Sequence, residues 1–359
     1  MNATDQNDSQ NLITWNGMRI DKAKMEEFCR NNNKISWYIS YRCNFKCDYC
    51  GEWAYGQQAV KPIDLAKLSG GLDFLPKDWI FYISGGEPFL DKNFTEICHE
   101  ITKRHYLSFS SNLTTPNIFE FADKINPDKC LFINASVHPT QREKTDKDFS
   151  LFIEKILYLQ KKGFNIIVVY VAHPTLLGRI ISDFERLRSH GIEKVHVKNF
   201  IGDFNGNSYP FSYSAAQKEL LLSMESDYPE FELMNQTYNF HGQLCIAGQK
   251  SFAMDRNGNL MRCSSDKRVY GNLFEKSIRI DSSPKPCTQD NYACLHECIE
   301  FNLKTKGKKI AILKADFIEK KTKFSSRDYR RNKFWKLIGD IEKAGIPLGK
   351  IKKAFVKSK

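Results

Sequence analysis

The chain has 359 residues, of which 41% are hydrophobic, 13% aromatic and 27% charged. That length suits about two domains with a large buried core, and the composition excludes a small disulfide-stapled module, a disordered or collagen-like chain and a membrane-embedded protein. No apolar run approaches the ~18 residues of a membrane span, and residues 1–11 carry no Lys or Arg, unlike the basic start of a secretory signal. The expectation is a cytoplasmic protein.

The net charge of +12 is concentrated at one end. Residues 304–359 hold 19 Lys and Arg against 5 Asp and Glu, whereas the first 303 hold 35 against 37. The basic tail therefore needs its own explanation.

After an N-terminal extension, 1–33, short apolar runs alternate with helix-period stretches from 34 to 204. Strands are expected at 35–41, 79–84, 106–111, 130–137, 165–172 and 194–199, with helices at 63–75, 93–104, 117–124, 149–162 and 176–190. Alternation of this kind signals βα units on a parallel sheet, hence an α/β fold. Six such units with right-handed crossovers curl into a partial (β/α)6 barrel, whose chemistry collects at the C-terminal strand ends. Gly70-Gly71 is expected to interrupt or end a helix. Residues 202–213 read as a linker, followed by a helix at 214–226. A hairpin, 251–254 and 259–263, turns at Asp255-Arg256-Asn257-Gly258. It belongs to a cysteine-bearing module, 205–303, and the tail, 304–359, closes the chain.

Eleven cysteines in a reducing compartment point to metal or redox chemistry. Cys29, Cys98 and Cys130 are isolated and read as core thiols. Cys43, Cys47 and Cys50 form C-x3-C-x2-C directly after the first strand. Three thiolates can hold three corners of an iron-sulfur cube, leaving the fourth iron open to a substrate or cofactor. Zinc is the competing reading, although zinc sites usually pair C-x2-C or C-x4-C knuckles into a closed set of four.

This spacing, with aromatic Tyr49 just before the third cysteine, resembles the radical S-adenosylmethionine (SAM) superfamily. At the second strand end, Ser84-Gly85-Gly86-Glu87-Pro88 resembles the family's GGEP segment, which borders the amino end of SAM. Residues without Cβ let backbone carbonyls come close to a ligand ammonium. Two more strand ends match loosely: Ser110-Ser111-Asn112-Leu113 and Ala135-Ser136-Val137-His138. The resemblance implies cofactor binding by Tyr49, Gly85, Gly86 and Glu87, and hydrogen bonds from Ser111 and Ser136 to the ribose or methionine part of SAM. Ordinary strand-end hydroxyls are the alternative for both serines.

The second cysteine group runs Cys245, Gly258-x4-Cys263, then Cys287-x6-Cys294-x3-Cys298. Together with Gly271-Asn272 it resembles the SPASM and twitch extensions that hold auxiliary four-iron clusters. Five thiols suit one cluster, and the resemblance implies Cys245, Cys263 and Cys298 as ligands, Cys294 as the fourth and Cys287 as its competitor. His296 keeps a zinc module open.

The resemblance further implies that one electron, supplied by a reductant such as flavodoxin or ferredoxin, passes through the first 4Fe-4S cluster to SAM, and that the resulting 5′-deoxyadenosyl radical takes a hydrogen atom from the substrate. The auxiliary cluster then accepts an electron or binds substrate. Relatives oxidise an aminocyclitol carbinol, oxidise Cys or Ser in sulfatases, crosslink ribosomal peptides or act in molybdopterin synthesis. The sulfatase branch carries Asp right after the Gly-x4-Cys cysteine; here Ser264 stands there, with Asp266 as a conceivable base two places on. The short segment before the first strand counts against a peptide-binding domain. A small-molecule or glycan substrate is the expectation, with a peptide-modifying maturase and a non-catalytic iron-sulfur or zinc nucleic-acid-binding protein as rivals. His138, His173 and His196 read as polar strand-end residues, with proton transfer as the sharper alternative.

In the tail, Phe334, Leu337, Ile338 and Ile341 recur at helical spacing among Arg330, Arg331, Lys333 and Lys336. A basic amphipathic helix suits a solvated face packed on the barrel, an anionic membrane surface approached peripherally, or a polyanion such as nucleic acid.

Overall fold

The structure is a computed structural model that describes residues 12–15, 18–21, 32–50, 61–76, 78–146, 149–192, 195–224, 241–242 and 244–288. Cys29, the expected ligands Cys294 and Cys298, and the whole tail with its expected helix lie outside the described residues. The chain divides into two compact units, Met1–Ile167 with Asn239–Phe301 and Val168–Tyr238 with Asn302–Lys359.

In chain order the elements are β1 (Leu12–Trp15), β2 (Met18–Asp21), β3 (Lys34–Ser40), α1 (Leu65–Phe74), β4 (Ile80–Gly85), α2 (Phe94–Thr102), β5 (Tyr106–Ser111), α3 (Asn117–Lys124) and β6 (Cys130–Ser136). Then come a helical turn α4 (Pro139–Arg142), α5 (Ser150–Lys161), β7 (Ile166–Ala172), α6 (Ile180–Arg188), β8 (Val195–Asn199), β9 (Gly202–Phe204), β10 (Asn207–Tyr209) and α7 (Ala215–Ser223). The return is all β: β11 (Leu244–Cys245), β12 (Ser251–Met254), β13 (Asn259–Met261), β14 (Val269–Asn272), β15 (Ser277–Ile278) and β16 (Lys285–Pro286). The six expected core strands are each present to within one residue at either end.

In the first unit, β3, β4, β5 and β6 pair in parallel in sequence order. Alternation fixes their register: Ile35, Trp37 and Ile39 on β3 are fully buried, and a slip by one residue would turn all three outward. Phe94 of α2 and Phe121 of α3 pack on the sheet against Phe109 of β5 and Phe89 of the turn after β4, the rings meeting edge to face with centroids 4.8–5.8 Å apart. β12 extends the sheet by pairing in parallel with the far edge of β3, Phe252 opposite Ile35. β13, β14 and β15 then add antiparallel strands outward. The fold is α/β, with a mostly parallel sheet in this unit.

Gly70 and Gly71 lie inside α1 instead of ending it. A Cβ on Gly71 would collide with the Leu273 carbonyl. The glycine is there for close packing of helix on turn, a tertiary reason that local propensity does not contain.

In the second unit β7 and β8 pair in parallel around α6. Residues 202–213, expected as a linker, instead form the antiparallel β9/β10 hairpin and a turn whose Tyr213 hydroxyl donates to the Ala172 carbonyl at 2.6 Å. Ser214 caps α7 in a capping box with Gln217. Among the described residues no helix is long and apolar enough to cross a membrane.

Candidate functional site

Parallel strands deliver their following loops to one end of the sheet, and in the first unit those loops carry most of the expected site. β3 runs out at Ser40 into residues 41–50, which hold Cys43, Cys47 and Cys50. Cys47 is buried and its two companions are half-buried. The Phe45 N–H donates to Cys43 Sγ at 3.4 Å, and the Cys50 N–H closes a turn on the Cys47 carbonyl at 3.0 Å. Desolvation pushes the Cys43 thiol up to about 11 and the Cys47 thiol up to about 12, each also raised by the neighbouring cysteines. A trio of mutually repelling, half-desolvated thiolates is stable only when a strong positive charge compensates it, which is what bound metal does. Among the described residues no three His, Cys, Asp or Glu side chains converge on a single ion. A four-iron cube gives each thiolate a different iron, so this donor set fits a cluster better than a lone ion.

The Gly85-Gly86 segment locks onto the exit of β3. Gly85 has φ +122, and Cβ atoms on the two glycines would strike the carbonyls of Ser40 and Arg42. In their absence the Gly86 N–H reaches the Ser40 carbonyl at 2.6 Å and the Glu87 N–H the Arg42 carbonyl at 2.8 Å. The room left by the missing side chains is filled by the cysteine loop's own backbone.

Glu87 is buried and accepts from Ser111 Oγ at 2.7 Å, the Asn112 N–H at 2.7 Å and the Phe89 N–H at 3.2 Å. Burial pushes its pKa up, while these donors and Arg142 pull the other way. Ser111 also accepts from the Leu113 N–H at 2.9 Å, so its hydroxyl knits the ends of β4 and β5 together. Asn112 next to it donates to Asn44 Oδ1 at 2.9 Å and points toward Cys43 Sγ at 3.9 Å. The half-buried Ser136 gives its carbonyl to Arg142.

Three residues that sequence reasoning did not place beside the cysteines complete this end. Arg142, 2% exposed, donates to the carbonyls of Val137, Ser136 and Asn112 and lies over the Phe152 ring. Gln141 accepts from the Lys46 N–H at 3.2 Å. His138, read from sequence as a polar strand-end residue, contacts Tyr49 and Cys47 directly. Arg142 and Gln141 follow a strand end by a few residues, but nothing in their residue type separates a buried clamp from a solvated helix face.

The second cysteine group is partly assembled. Cys245, Cys263 and Cys287 are buried. β11 pairs Cys245 with Lys285, two residues before Cys287. Arg262, 1% exposed, joins this pair to the segment just after β13 that bears Cys263 by donating to Ala247, Lys285 and Pro286 carbonyls. The Ala247 N–H donates to Cys245 Sγ at 3.4 Å and the Asp266 N–H to Cys263 Sγ at 3.2 Å. Backbone donors aimed at sulfur favour thiolate. Asp266 itself is held by Arg268, Arg262 and Thr288, and Arg268 keeps its carboxyl well below the usual carboxylate range. It is therefore spent as an anchor and is not poised as a base.

Residues 37–190 match the model of the radical SAM superfamily. That stretch, from β3 through the loops just described, matches as a radical SAM domain. Among solved structures, the chain is similar to anSMEcpe with bound AdoMet, at 16% identity over 68% of this chain and 75% of that one, with a TM-score of 0.49. It is also similar to Streptococcus suis SuiB bound to S-adenosylmethionine, at 16% identity over 70% of this chain and 66% of that one, TM-score 0.47. SeMet BtrN in an open conformation matches at 15% identity over 68% and 76%, TM-score 0.32. No curated protein matches the chain.

Proposed function

We propose that the chain is a radical SAM enzyme whose first 4Fe-4S cluster is held by Cys43, Cys47 and Cys50. The observation that carries this reading is the cysteine loop itself: three thiols, none supplied with a fourth from nearby sequence, fixed against the Gly85-Gly86-Glu87 turn. Cluster and SAM, when bound, supply a 5′-deoxyadenosyl radical by one-electron cleavage of the sulfonium C–S bond. The chain's own residues position and enclose: Glu87 and Ser111 hold the strand ends in register, Arg142 ties the loops after β5 and β6, and Asn112 steadies the segment that bears Cys43.

A second cluster is assigned to Cys245 and Cys263, with the remaining thiolates drawn from Cys294, Cys298 and Cys287. The N–H···S contacts at Cys245 and Cys263 support it. For the substrate we favour a small molecule or glycan over a sulfatase, because Ser264 follows Cys263 and Asp266 is already engaged by two arginines. Modification of a co-encoded precursor peptide by the purified protein would overturn that choice.

The test is anaerobic reconstitution with iron, sulfide and zinc analysis and a reductive SAM-cleavage assay. Two clusters give roughly eight irons per chain. Changing Cys43, Cys47 and Cys50 together to Ala should halve the iron and abolish 5′-deoxyadenosine. Continued formation of that product by the triple variant would refute the assignment.

A further inference from the structure

Cys47, Tyr49 and His138 meet in one small cluster. The Tyr49 hydroxyl lies 2.8 Å from His138 Nδ1 and Cys47 Sγ lies 3.5 Å from the same nitrogen. The tyrosine hydroxyl also hydrogen-bonds the Cys47 sulfur. The Tyr49 and His138 rings stack with centroids 5.9 Å apart, and Phe45 meets the imidazole edge-on at 5.8 Å. His138 is held with φ 47 and ψ 60, a left-handed backbone that a residue with a Cβ adopts only at a cost.

The proton arrangement follows from which atoms can accept. A thiolate offers lone pairs only, so an imidazole lone pair facing it would be repelled. A thiolate at Cys47 therefore selects the tautomer with hydrogen on Nδ1. That N–H is then shared between the Tyr49 oxygen and the sulfur, while the Tyr49 O–H donates to the sulfur. An electron added to a cluster raises the negative charge on its sulfur ligands, so donors to those sulfurs stabilise the reduced form and raise the potential.

We propose that His138, with Tyr49, is a positioning residue that hydrogen-bonds the Cys47 sulfur and sets the reduction potential of the cluster on Cys43, Cys47 and Cys50. The inference rests on the cluster assignment made above, and its test separates the two. The full chain is reconstituted anaerobically and titrated electrochemically, following the EPR signal that added SAM perturbs. His138→Leu moves the midpoint of that signal negative by about tenfold in the reduction equilibrium, roughly 59 mV for one electron. His138→Asn, whose amide nitrogen takes the place of Nδ1 and whose backbone tolerates the left-handed region, restores the wild-type value, which loss of packing alone would not do. An unchanged midpoint in an iron-replete His138→Leu protein overturns the inference. If that variant does not retain iron, Tyr49→Phe leaves residue 138 intact and shifts the midpoint the same way by a smaller amount; no shift there overturns the inference equally. A wild-type signal that SAM does not perturb overturns the cluster assignment on which it stands.

Discussion

Arg256, in the turn between β12 and β13, forms a 2.6 Å ion pair with Asp91, and the side chains of both are largely buried. The same guanidinium donates to the carbonyls of Ile39 and Lys61. Ile39 precedes Cys43 by four residues, and Asp91 follows Glu87 by four. One side chain from the late part of the chain thus clamps the entry to the cysteine loop and the exit of the Gly-Gly-Glu-Pro turn. Removing it as Arg256→Met strands a buried carboxylate, a loss of about 3 kcal/mol or more. Urea midpoints of Arg256→Met, Asp91→Asn and the double variant check this: the double should cost clearly less than the sum of the singles. Additive losses would show that the two side chains do not act on each other.

Glu87 faces only donors, from Ser111, Asn112 and Phe89. Glu87→Gln keeps the shape but turns an amide N–H toward one of them. The expected loss is roughly 1–3 kcal/mol from the opposed donor, read as a lower thermal midpoint, with weaker iron retention because the cysteine loop leans on this turn. Ser111→Ala should cost less, since it removes one donor and leaves Glu87 two backbone partners. Equal losses for the two variants would contradict the network.

The strand ends and the cysteine loop were legible in the sequence because their signals are local: alternation on β3 to β6, Gly-Gly at a strand end, three thiols within eight residues. The features that lock them were not. β12 pairs with β3 across more than 200 positions of chain, and no pattern in either strand names its neighbour. Arg142 and Arg256 are the residue type that usually marks a solvated surface, so their burial emerges only once the carbonyls they satisfy are brought together. Gly71 looked like a helix breaker for the same reason, because what it approaches, Leu273, is remote in sequence.

Gly70 and Gly71 should therefore respond in opposite ways to the same change. A Cβ on Gly70 would meet only the flexible end of Lys276, so Gly70→Ala is expected to be neutral or to stabilise by up to about 1 kcal/mol through helix propensity. Gly71→Ala drives a methyl into the Leu273 backbone, and the expected cost is about 1–3 kcal/mol. Denaturation midpoints of the two single variants decide it; similar values would mean that α1 does not sit this close to the 273–275 turn.

His105 is fully buried and its Nε2–H donates to the Leu72 carbonyl at 3.0 Å. Its Nδ1 has no hydrogen-bond partner among the described residues. Burial lowers its pKa below the ordinary imidazole value of 6.5, so the folded state holds the neutral ring and the unfolded chain binds the extra proton first. The stability this contributes is present above pH 6.5 and is lost as the pH falls toward the folded-state pKa, by up to about 1.4 kcal/mol per pH unit. His105→Gln keeps a donor near the position of Nε2 and cannot titrate. Between pH 7.5 and 5.5 the urea midpoint of the wild-type protein should fall more steeply than that of the variant. Parallel slopes would show that the imidazole protonates as readily in the folded chain as in the unfolded one.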